Sequence, residues 1–259
     1  MSFFQCCFHS DCLGMAVNVN VVLPQGAVKS QIGMDSAGGE KLPPVLYLLH
    51  GLSDDQTIWM RRTSIERYAT ERGIAVVMPC GNRSFYCNTV DGMRFYDYIA
   101  DELPTMIGHA FRVSQRREDT AIGGLSMGGY GALRIGLLNP QKYCAIAALS
   151  AVICADWCRA GRPELYRADF GDIEPTGTQY DLFHLASQLA ADASSPNPMI
   201  YQACGEQDGL LADNQRFCAH LSANGMTPKW VALPGTHCWE FWDARIREVL
   251  DWLPFNKQD

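Results

Sequence analysis

The sequence predicts an α/β fold, with a mostly parallel central sheet and helices on both of its faces. Three short apolar runs, at 45–51, 74–79 and 145–149, have the length and continuity of strands buried on both sides. They alternate with segments whose apolar residues recur at helical spacing, which is typical of parallel sheets. The 259 residues, 47% of them hydrophobic, suit one domain spanning 1–259.

The first elements follow from periodicity and from residues that begin or end helices. Apolar residues alternate with small or polar ones near the N-terminus and predict a half-buried strand: Met15, Val17, Val19 and Val21. A turn region is predicted at 33–41 because glycine and serine are frequent there. Thr63 and Glu66 have the spacing of a capping box, and Gly73 lies where that helix would end.

The central elements lead toward a glycine-rich stretch. A helix is predicted from apolar residues at helical spacing: Ile99, Leu103, Met106, Ile107 and Phe111. Pro104 must occupy its first turn or kink it, because proline cannot donate a backbone hydrogen bond. A short strand at 120–123 then runs directly into the stretch GGLSMGGYG, and the helix after it ends before Pro140.

The second half resumes the alternation after one interruption. Residues 155–195 lose the rhythm and predict a small insertion, a cap or lid over one end of the sheet. Strands are predicted at 199–204 and 229–233, with a helix at 212–224 between them. A final amphipathic helix is predicted from Trp242, Ile246, Val249, Leu250 and Leu253.

Charge and hydropathy exclude several kinds of partner. The formal net charge is -7, and no lysine or arginine cluster is longer than a pair, so neither nucleic acid nor an anionic membrane surface is expected to bind. No apolar run approaches the roughly 18 residues that span a bilayer. Residues 1–12 lack the basic and apolar regions of a secretory signal, which predicts a cytoplasmic protein. A homo-oligomer is compatible with these features.

The cysteines are numerous but do not form a recognisable framework. There are 11, an odd number with scattered spacing, which favours reduced thiols used as small buried side chains. Cys6, Cys7, His9 and Cys12 raise the possibility of zinc, but a second pair of ligands with the usual spacing is missing. We therefore predict an alternating strand there, and no metal or organic cofactor.

The glycine-rich stretch has the pattern G-x-S-x-G, from Gly124 to Gly128 around Ser126. A nucleophilic serine presented on a sharp turn between a strand and a helix needs small neighbours, because larger side chains would collide with the turn. The alternative is a purely structural tight turn, since small residues collect in many such turns. The strand before it and the helix after it favour a nucleophile.

A serine hydroxyl needs a base, and His237 is the best placed of six histidines. It follows the last predicted strand, so it belongs at the same end of the sheet as Ser126. His50 also ends a strand, but it precedes the serine in the chain. His220 is predicted on the surface of a helix, and the remaining histidines lack a strand-end setting: His9, His109 and His184.

The base needs an acid that fixes its tautomer, and Asp208 directly follows a predicted strand. Glu206 and Asp213 are nearby alternatives, but the first is close to the strand and the second enters the helix. The order Ser126, Asp208, His237 is that of the α/β-hydrolases.

The oxyanion of a tetrahedral intermediate requires two backbone N–H donors, each worth about 3 kcal/mol. Met127, directly after the serine, is one candidate, and Leu52, after the strand that ends in His50, is the other. Trp239 is predicted to contact the substrate because it lies two residues after His237. Trp59 is predicted to belong to the core.

Four blocks in this order resemble the esterase D-like branch of the α/β-hydrolases: LYLLHGLSDDQTIW, GLSMGGYGA, GEQD and GTHCWEFW. The resemblance spans nearly the whole chain and is closest to the bacterial tributyrin esterases. It implies an α/β-hydrolase fold, with Ser126, Asp208 and His237 as the triad and Leu52 and Met127 at the oxyanion hole. The abundance of cysteine departs from the family pattern.

The resemblance and the motifs together predict a serine carboxylesterase acting on short-chain acyl esters. The alternatives within this class are a feruloyl or acetyl esterase on plant polysaccharide side chains and an S-formylglutathione hydrolase. An acyltransferase with the same triad is an alternative from another class, and a non-catalytic binding module is a third. Activity is expected to fall in acid as His237 gains a proton.

Overall fold

A computed structural model describes residues 2–25 and 41–256 of the chain. Nearly all of the turn region predicted at 33–41 therefore lies outside the described residues. One sheet contains eight strands: β1 (Ser2–Ser10), β2 (Met15–Leu23), β3 (Val45–Leu49), β4 (Ala75–Pro79), β5 (Thr120–Leu125), β6 (Ala145–Leu149), β7 (Met199–Gly205) and β8 (Lys229–Leu233).

The sheet is mostly parallel, as predicted. Its strands lie in the order β1-β2-β4-β3-β5-β6-β7-β8. The pairs from β4 and β3 through to β7 and β8 are parallel, whereas β2 is antiparallel to both β1 and β4. Because parallel strands end at the same edge, the segments that follow β3, β5, β6, β7 and β8 meet at one end of the sheet.

Helices cover both faces. Within the described residues they are α1 (Ile58–Arg62), α2 (Ile65–Glu71), α3 (Phe95–Asp97), α4 (Leu103–Ala110), α5 (Met127–Leu138), α6 (Asp156–Gly161), α7 (Pro163–Phe170), α8 (Leu182–Ala191), α9 (Leu211–Ala223) and α10 (Trp239–Trp252). Alternate residues of β3 enter two separate cores. Leu46 and Leu48 pack in the core that α1, α2 and α10 cover, and Tyr47 and Leu49 pack in the core under α4, α5, α8 and α9. Within the described ranges, no helix combines the length and apolar composition that crossing a membrane requires.

The predicted capping box does not form. Helix α2 begins at Ile65, and the Thr63 hydroxyl accepts the Ile65 N–H at 3.1 Å instead of capping a longer helix. The segment around Pro104 also differs from a simple kinked helix. One π-helical turn, Tyr98–Glu102, joins α3 to α4, and Pro104 then occupies the first turn of α4. The Leu103 N–H donates to Tyr98 O, so the widened turn ends directly before the proline, which has no N–H to donate.

The segment predicted as an insertion is more regular than its sequence suggested. Residues 155–195 form α6, α7 and α8, and α8 lies against α5 and α9. Leu182, Leu185, Ala186 and Leu189 of α8 are buried in the core. Tyr166 and Phe170 of α7 are buried as well, whereas Trp157 of α6 is 37% exposed. The last part of this segment is therefore a core helix of the sheet's outer layer.

Candidate active site

Ser126 sits on the sharp turn between β5 and α5. Its backbone has φ 53° and ψ −116°, a region that residues with a side chain rarely adopt. The end of β6 and the segment after it hold this conformation, because the Ser126 N–H donates to Leu149 O at 2.9 Å and Ser126 O accepts the Val152 N–H at 3.1 Å. The strain presents one hydroxyl at the end of the sheet where the other strand-end loops meet.

The glycines around Ser126 are required by close backbone contacts. A Cβ atom on Gly124 would lie 2.4 Å from the carbonyl oxygen of Gly128, and one on Gly128 would lie 2.6 Å from the carbonyl oxygen of His50. No side chain other than hydrogen fits at either distance. The helix start therefore reaches both β5 and the end of β3 because these positions lack side chains.

Two neighbouring loops bring His237 to Ser126. The Gln207 N–H donates to Gly235 O at 2.9 Å, and the Gly235 N–H donates to the side-chain oxygen of Gln207 at 2.8 Å. These bonds join the loop after β7 to the loop after β8. As a result, His237 Nε2 lies 3.0 Å from Ser126 Oγ, and His237 Nδ1 lies 2.8 Å from an Asp208 carboxylate oxygen.

Asp208 is set apart from the rival carboxylates by its surroundings. Its side chain is 1% exposed, and the other carboxylate oxygen accepts the Leu210 N–H at 2.9 Å. Burial disfavours the charged form, but the hydrogen bonds from His237 and Leu210 outweigh it and hold the pKa of Asp208 below its usual value. Glu206 is exposed and Asp213 pairs with Arg216 at 3.0 Å, whereas the carboxylate bonded to His237 among the described residues is that of Asp208.

The two backbone groups predicted for an oxyanion hole are both available. Met127 is the first residue of α5, where N–H groups have no partner within the helix. Neither its N–H nor that of Leu52 has an acceptor among the described residues. The loop carrying Leu52 lies against the serine turn, since a Cβ atom on Gly51 would be 3.9 Å from Ser126 Cβ. The positive end of the α5 dipole also favours negative charge at this point.

Aromatic rings support the imidazole of His237 from one side. The Trp242 ring lies edge-on to His237 at a centroid distance of 4.8 Å, and its Nε1–H donates to Ser150 Oγ at 3.1 Å. Trp239 packs between Trp242 and Trp59, at 5.2 and 5.3 Å. Trp59 is buried, as predicted, whereas the substrate contact of Trp239 stays a prediction.

Sequence reasoning missed Ser150 and Trp242, although one signal was present. Ser150 directly follows β6, at the same end of the sheet as Ser126, and it is fully buried with φ 44°. A search for polar residues at strand ends would have found it. Trp242 was assigned only to the apolar face of its helix, which gives no indication of a contact with His237.

Two histidines occupy unexpected positions. His220 was predicted on the surface, but its Nε2 lies 3.0 Å from Ser187 Oγ and 2.9 Å from Phe183 O, so it joins α9 to α8. His50 is only 1% exposed and bonds to backbone atoms on both sides of its ring. In the part of the chain that the structure describes, no group of three or more potential metal ligands comes together.

Comparison with known proteins identifies the family to which the chain belongs. The "Esterase" family model matches residues 10–253. An acetyl esterase of Caldicellulosiruptor saccharolyticus is 31% identical over 265 residues, covering 98% of this chain and 98% of the relative.

Two solved structures are similar over almost their full length. One is a fluorophosphonate-binding serine hydrolase of Staphylococcus aureus, solved with substrate bound, which has a TM-score of 0.89 at 33% identity. The match covers 97% of this chain and 98% of the hydrolase chain. An S-formylglutathione hydrolase of the same organism has a TM-score of 0.86, also at 33% identity, with the same coverage. The chain therefore belongs to the esterase family and is a hydrolase with the α/β-hydrolase fold.

Proposed function

We propose that the protein is a serine carboxylesterase that hydrolyses short-chain acyl esters through Ser126, His237 and Asp208. The observation that carries this proposal is the continuous chain of hydrogen bonds from Ser126 Oγ through the imidazole to a buried carboxylate, at 3.0 and 2.8 Å. Such a chain gives a serine hydroxyl a base within reach and gives that base a fixed tautomer.

In the acylation half of the reaction, Ser126 Oγ attacks the carbonyl carbon of the ester while its proton moves to His237 Nε2. The carbonyl oxygen becomes an oxyanion, which the N–H groups of Leu52 and Met127 stabilise. Asp208 holds the imidazolium that forms. The tetrahedral species then collapses, the bond to the alcohol oxygen breaks, and His237 returns its proton to the departing alcohol.

In the deacylation half, water takes the place of the alcohol. His237 accepts a proton from the water as its oxygen attacks the acyl carbon on Ser126, and a second oxyanion forms at the same two N–H groups. The bond to Ser126 Oγ breaks, the carboxylic acid leaves, and the serine regains a proton from His237. Every proton is carried by residues of this chain, so this route requires no cofactor.

Relatives of the chain support a small acyl group. The acetyl esterase relative supports a small acyl group, and the resemblance to tributyrin esterases points the same way. The S-formylglutathione hydrolase structure, which is as similar in sequence as the other solved relative, supports a thioester as the second candidate. A feruloyl substrate and acyl transfer to a sugar are the further alternatives that a substrate panel separates.

Further features are part of the proposal. Trp239 lines the substrate site, and within residues 155–195 the part that precedes α8, with α6 and α7, forms its cap. The protein is cytoplasmic, which is supported by fully buried thiols such as Cys87 and Cys204 that pack as small apolar side chains. Fractionation of cells that produce the protein would test the last point.

The experiment compares wild type with Ser126→Ala on one panel of substrates. The p-nitrophenyl esters of acetate, butyrate and octanoate test the preferred acyl length. S-formylglutathione tests thioester hydrolysis, and methyl ferulate tests hydrolysis of a feruloyl ester. Transfer of the acetyl group to glucose tests the acyltransferase alternative. We expect wild type to prefer acetate or butyrate and Ser126→Ala to lose roughly 10³-fold or more in turnover. Full activity in Ser126→Ala would contradict the assignment of Ser126 as the nucleophile. A steep preference for another substrate of the panel would contradict the proposal of a short-chain acyl ester.

A further inference from the structure

His50 lies outside the proposed triad but is almost completely buried beside it. It is 1% exposed and follows the last residue of β3, directly before the loop that carries Leu52. Burial lowers the pKa of its imidazole, so the ring is held in the neutral form. A buried neutral histidine that contributes no proton to the reaction needs another explanation for its place beside the site.

Backbone contacts fix the tautomer of the ring. The Gly81 N–H lies 2.9 Å from His50 Nε2 and can only donate, so Nε2 must be an acceptor without a proton. The proton of the neutral ring is therefore on Nδ1. Nδ1 lies 2.7 Å from the carbonyl oxygen of Gly51 and donates to it.

The peptide group that receives this bond is the one that carries the Leu52 N–H. In a trans peptide the C=O of Gly51 and the N–H of Leu52 point in opposite directions within one plane. Holding the carbonyl on the side of His50 therefore directs the N–H away from it. A hydrogen bond to the carbonyl also polarises the peptide and makes its N–H a stronger donor.

The histidine is held in turn by the loop after β4. Tyr86 donates its hydroxyl proton to the carbonyl oxygen of His50 at 2.9 Å, and its ring lies 5.8 Å from the imidazole. Phe85 and Tyr86 both have positive φ, at 47° and 55°, and both are fully buried. Such strained residues persist only where their surroundings hold them firmly, so this loop is a rigid support for the ring.

We infer that His50 is a positioning residue for the oxyanion hole, which orients and polarises the Gly51–Leu52 peptide through Nδ1. This inference rests on the proposed function, because it assumes that the Leu52 N–H binds the oxyanion. A second bond limits its size: the Asp54 N–H donates to the same Gly51 oxygen at 3.2 Å. Loss of the histidine should therefore misplace the donor rather than remove it.

The test uses three substitutions of His50. His50→Ala removes both ring contacts, and we expect kcat for p-nitrophenyl acetate to fall roughly 10- to 100-fold with KM within about threefold of wild type. His50→Asn keeps a donor near the Gly51 oxygen and should recover most of that loss. His50→Gln keeps an acceptor for Gly81 instead and should not. Rates are normalised to active sites counted from the p-nitrophenol burst, so partial unfolding does not change the comparison.

A transition-state analogue provides a readout that a merely structural role would not change. Ser126 adds to the carbonyl of an alkyl trifluoromethyl ketone, and the resulting hemiketal oxyanion occupies the oxyanion hole. We expect the inhibition constant of the ketone to rise in His50→Ala and His50→Gln by about the same factor by which kcat falls. His220→Ala is the matched control: it removes a histidine that joins α9 to α8 and leaves every contact of His50 in place, so its kcat should stay within about threefold.

The outcomes separate this inference from the proposed function. If Ser126→Ala keeps its activity, the proposed function fails and the oxyanion hole fails with it. If Ser126→Ala is inactive but the Asn and Gln variants of His50 match each other in kcat and in ketone affinity, only the inference is overturned. An advantage of Asn over Gln of about threefold or more in both readouts supports it, and a smaller difference counts as a match.

Discussion

Two regions that follow neighbouring strands of the sheet are held by different kinds of contact. The turn at Ser126, after β5, is fixed by backbone atoms: its N–H and C=O bond to Leu149 and Val152, and Gly124 and Gly128 approach at distances that exclude a side chain. The helical segment after β6, residues 155–195 with α6, α7 and α8, is held by contacts between side chains. Arg159 bonds to Glu174 and to the Tyr166 hydroxyl, and Arg134 of α5 bonds to Gln179.

The difference explains which region could be recognised from sequence. A backbone contact at the distance seen at Gly124 permits only glycine, so such contacts produce a sequence motif that can be recognised. Side-chain contacts such as that between Arg159 and Glu174 can be made by many residue pairs, so they produce no recognisable sequence motif. Exposed pairs of that kind are also worth little, about 0–1 kcal/mol, so the segment should tolerate substitutions that the turn does not.

The largest expected effect is catalytic and confined to the site. Asp208→Asn should reduce kcat/KM by roughly 10³- to 10⁴-fold, because the amide no longer fixes the required tautomer of His237. Glu174→Gln, in the helical segment, should change it by less than about threefold in the same p-nitrophenyl acetate assay. Asp213, the alternative acid, gives a second control. A loss of kcat/KM in Asp213→Asn as large as that in Asp208→Asn would contradict the assignment of Asp208 as the acid.

A pair of glycines tests the difference in packing. A Cβ atom on Gly124 would meet the backbone of Gly128 at 2.4 Å, so Gly124→Ala should destabilise the protein by roughly 3 kcal/mol or more and lower Tm by about 10 °C. Gly161, at the end of α6, has nothing within 4 Å of the same position, and Gly161→Ala should leave Tm unchanged or slightly higher. Thermal unfolding of both variants makes the measurement. Equal shifts in the two would remove the contrast between the regions.

The smallest effect concerns Asp169 on α7, where the helical segment buries a carboxyl group. Asp169 is 3% exposed and one of its oxygens has no hydrogen-bond partner in the described ranges. Burial raises its pKa to about 7, which the charge of Arg83 opposes and that of Asp91 reinforces. A raised pKa means that the folded state favours the protonated acid. Stability is therefore complete below the pKa of the unfolded chain, near 4, and declines as the pH rises to about 7.

Asp169→Asn should remove this dependence because the amide does not ionise. Relative to wild type, we expect the variant to gain roughly 1–3 kcal/mol in the free energy of unfolding on going from pH 4.5 to pH 8. Tm measured at both pH values checks this, and the constant cost of the amide cancels in the difference. Parallel changes in wild type and variant would show that Asp169 has the same pKa in the folded and the unfolded protein, which would contradict the raised pKa.

The same contrast sets how much of the molecule could be predicted. The strands were found because buried parallel strands are continuous apolar runs, and the spans at 145–149 and 229–233 match β6 and β8 residue for residue. The π-helical turn before Pro104 was not found, since it is an adjustment of hydrogen bonding that leaves residue types unchanged. Helix α8 was missed because its apolar face lies within a segment rich in glycine, proline and charge.

At the site, the sequence predicted side chains better than their supports. The grouping of Ser126, Asp208 and His237 could be predicted because each follows a predicted strand, and the structure brings the three side chains together. The places of His50 and Trp242 depend on which atom of each ring meets which partner. Neither spacing nor composition contains that information, so only the three-dimensional arrangement could supply it.

The measurement that tests the central claim most directly is the location of the acyl group. Wild type, Ser126→Ala and His237→Ala are mixed with p-nitrophenyl acetate, quenched in acid and mapped by peptide mass spectrometry. We predict acetyl on Ser126 in wild type and no acetylated serine in Ser126→Ala. His237→Ala should acetylate Ser126 far more slowly because the base is gone. Acetylation of one of the 11 cysteines at the rate of turnover, with Ser126 unmodified, would contradict the account.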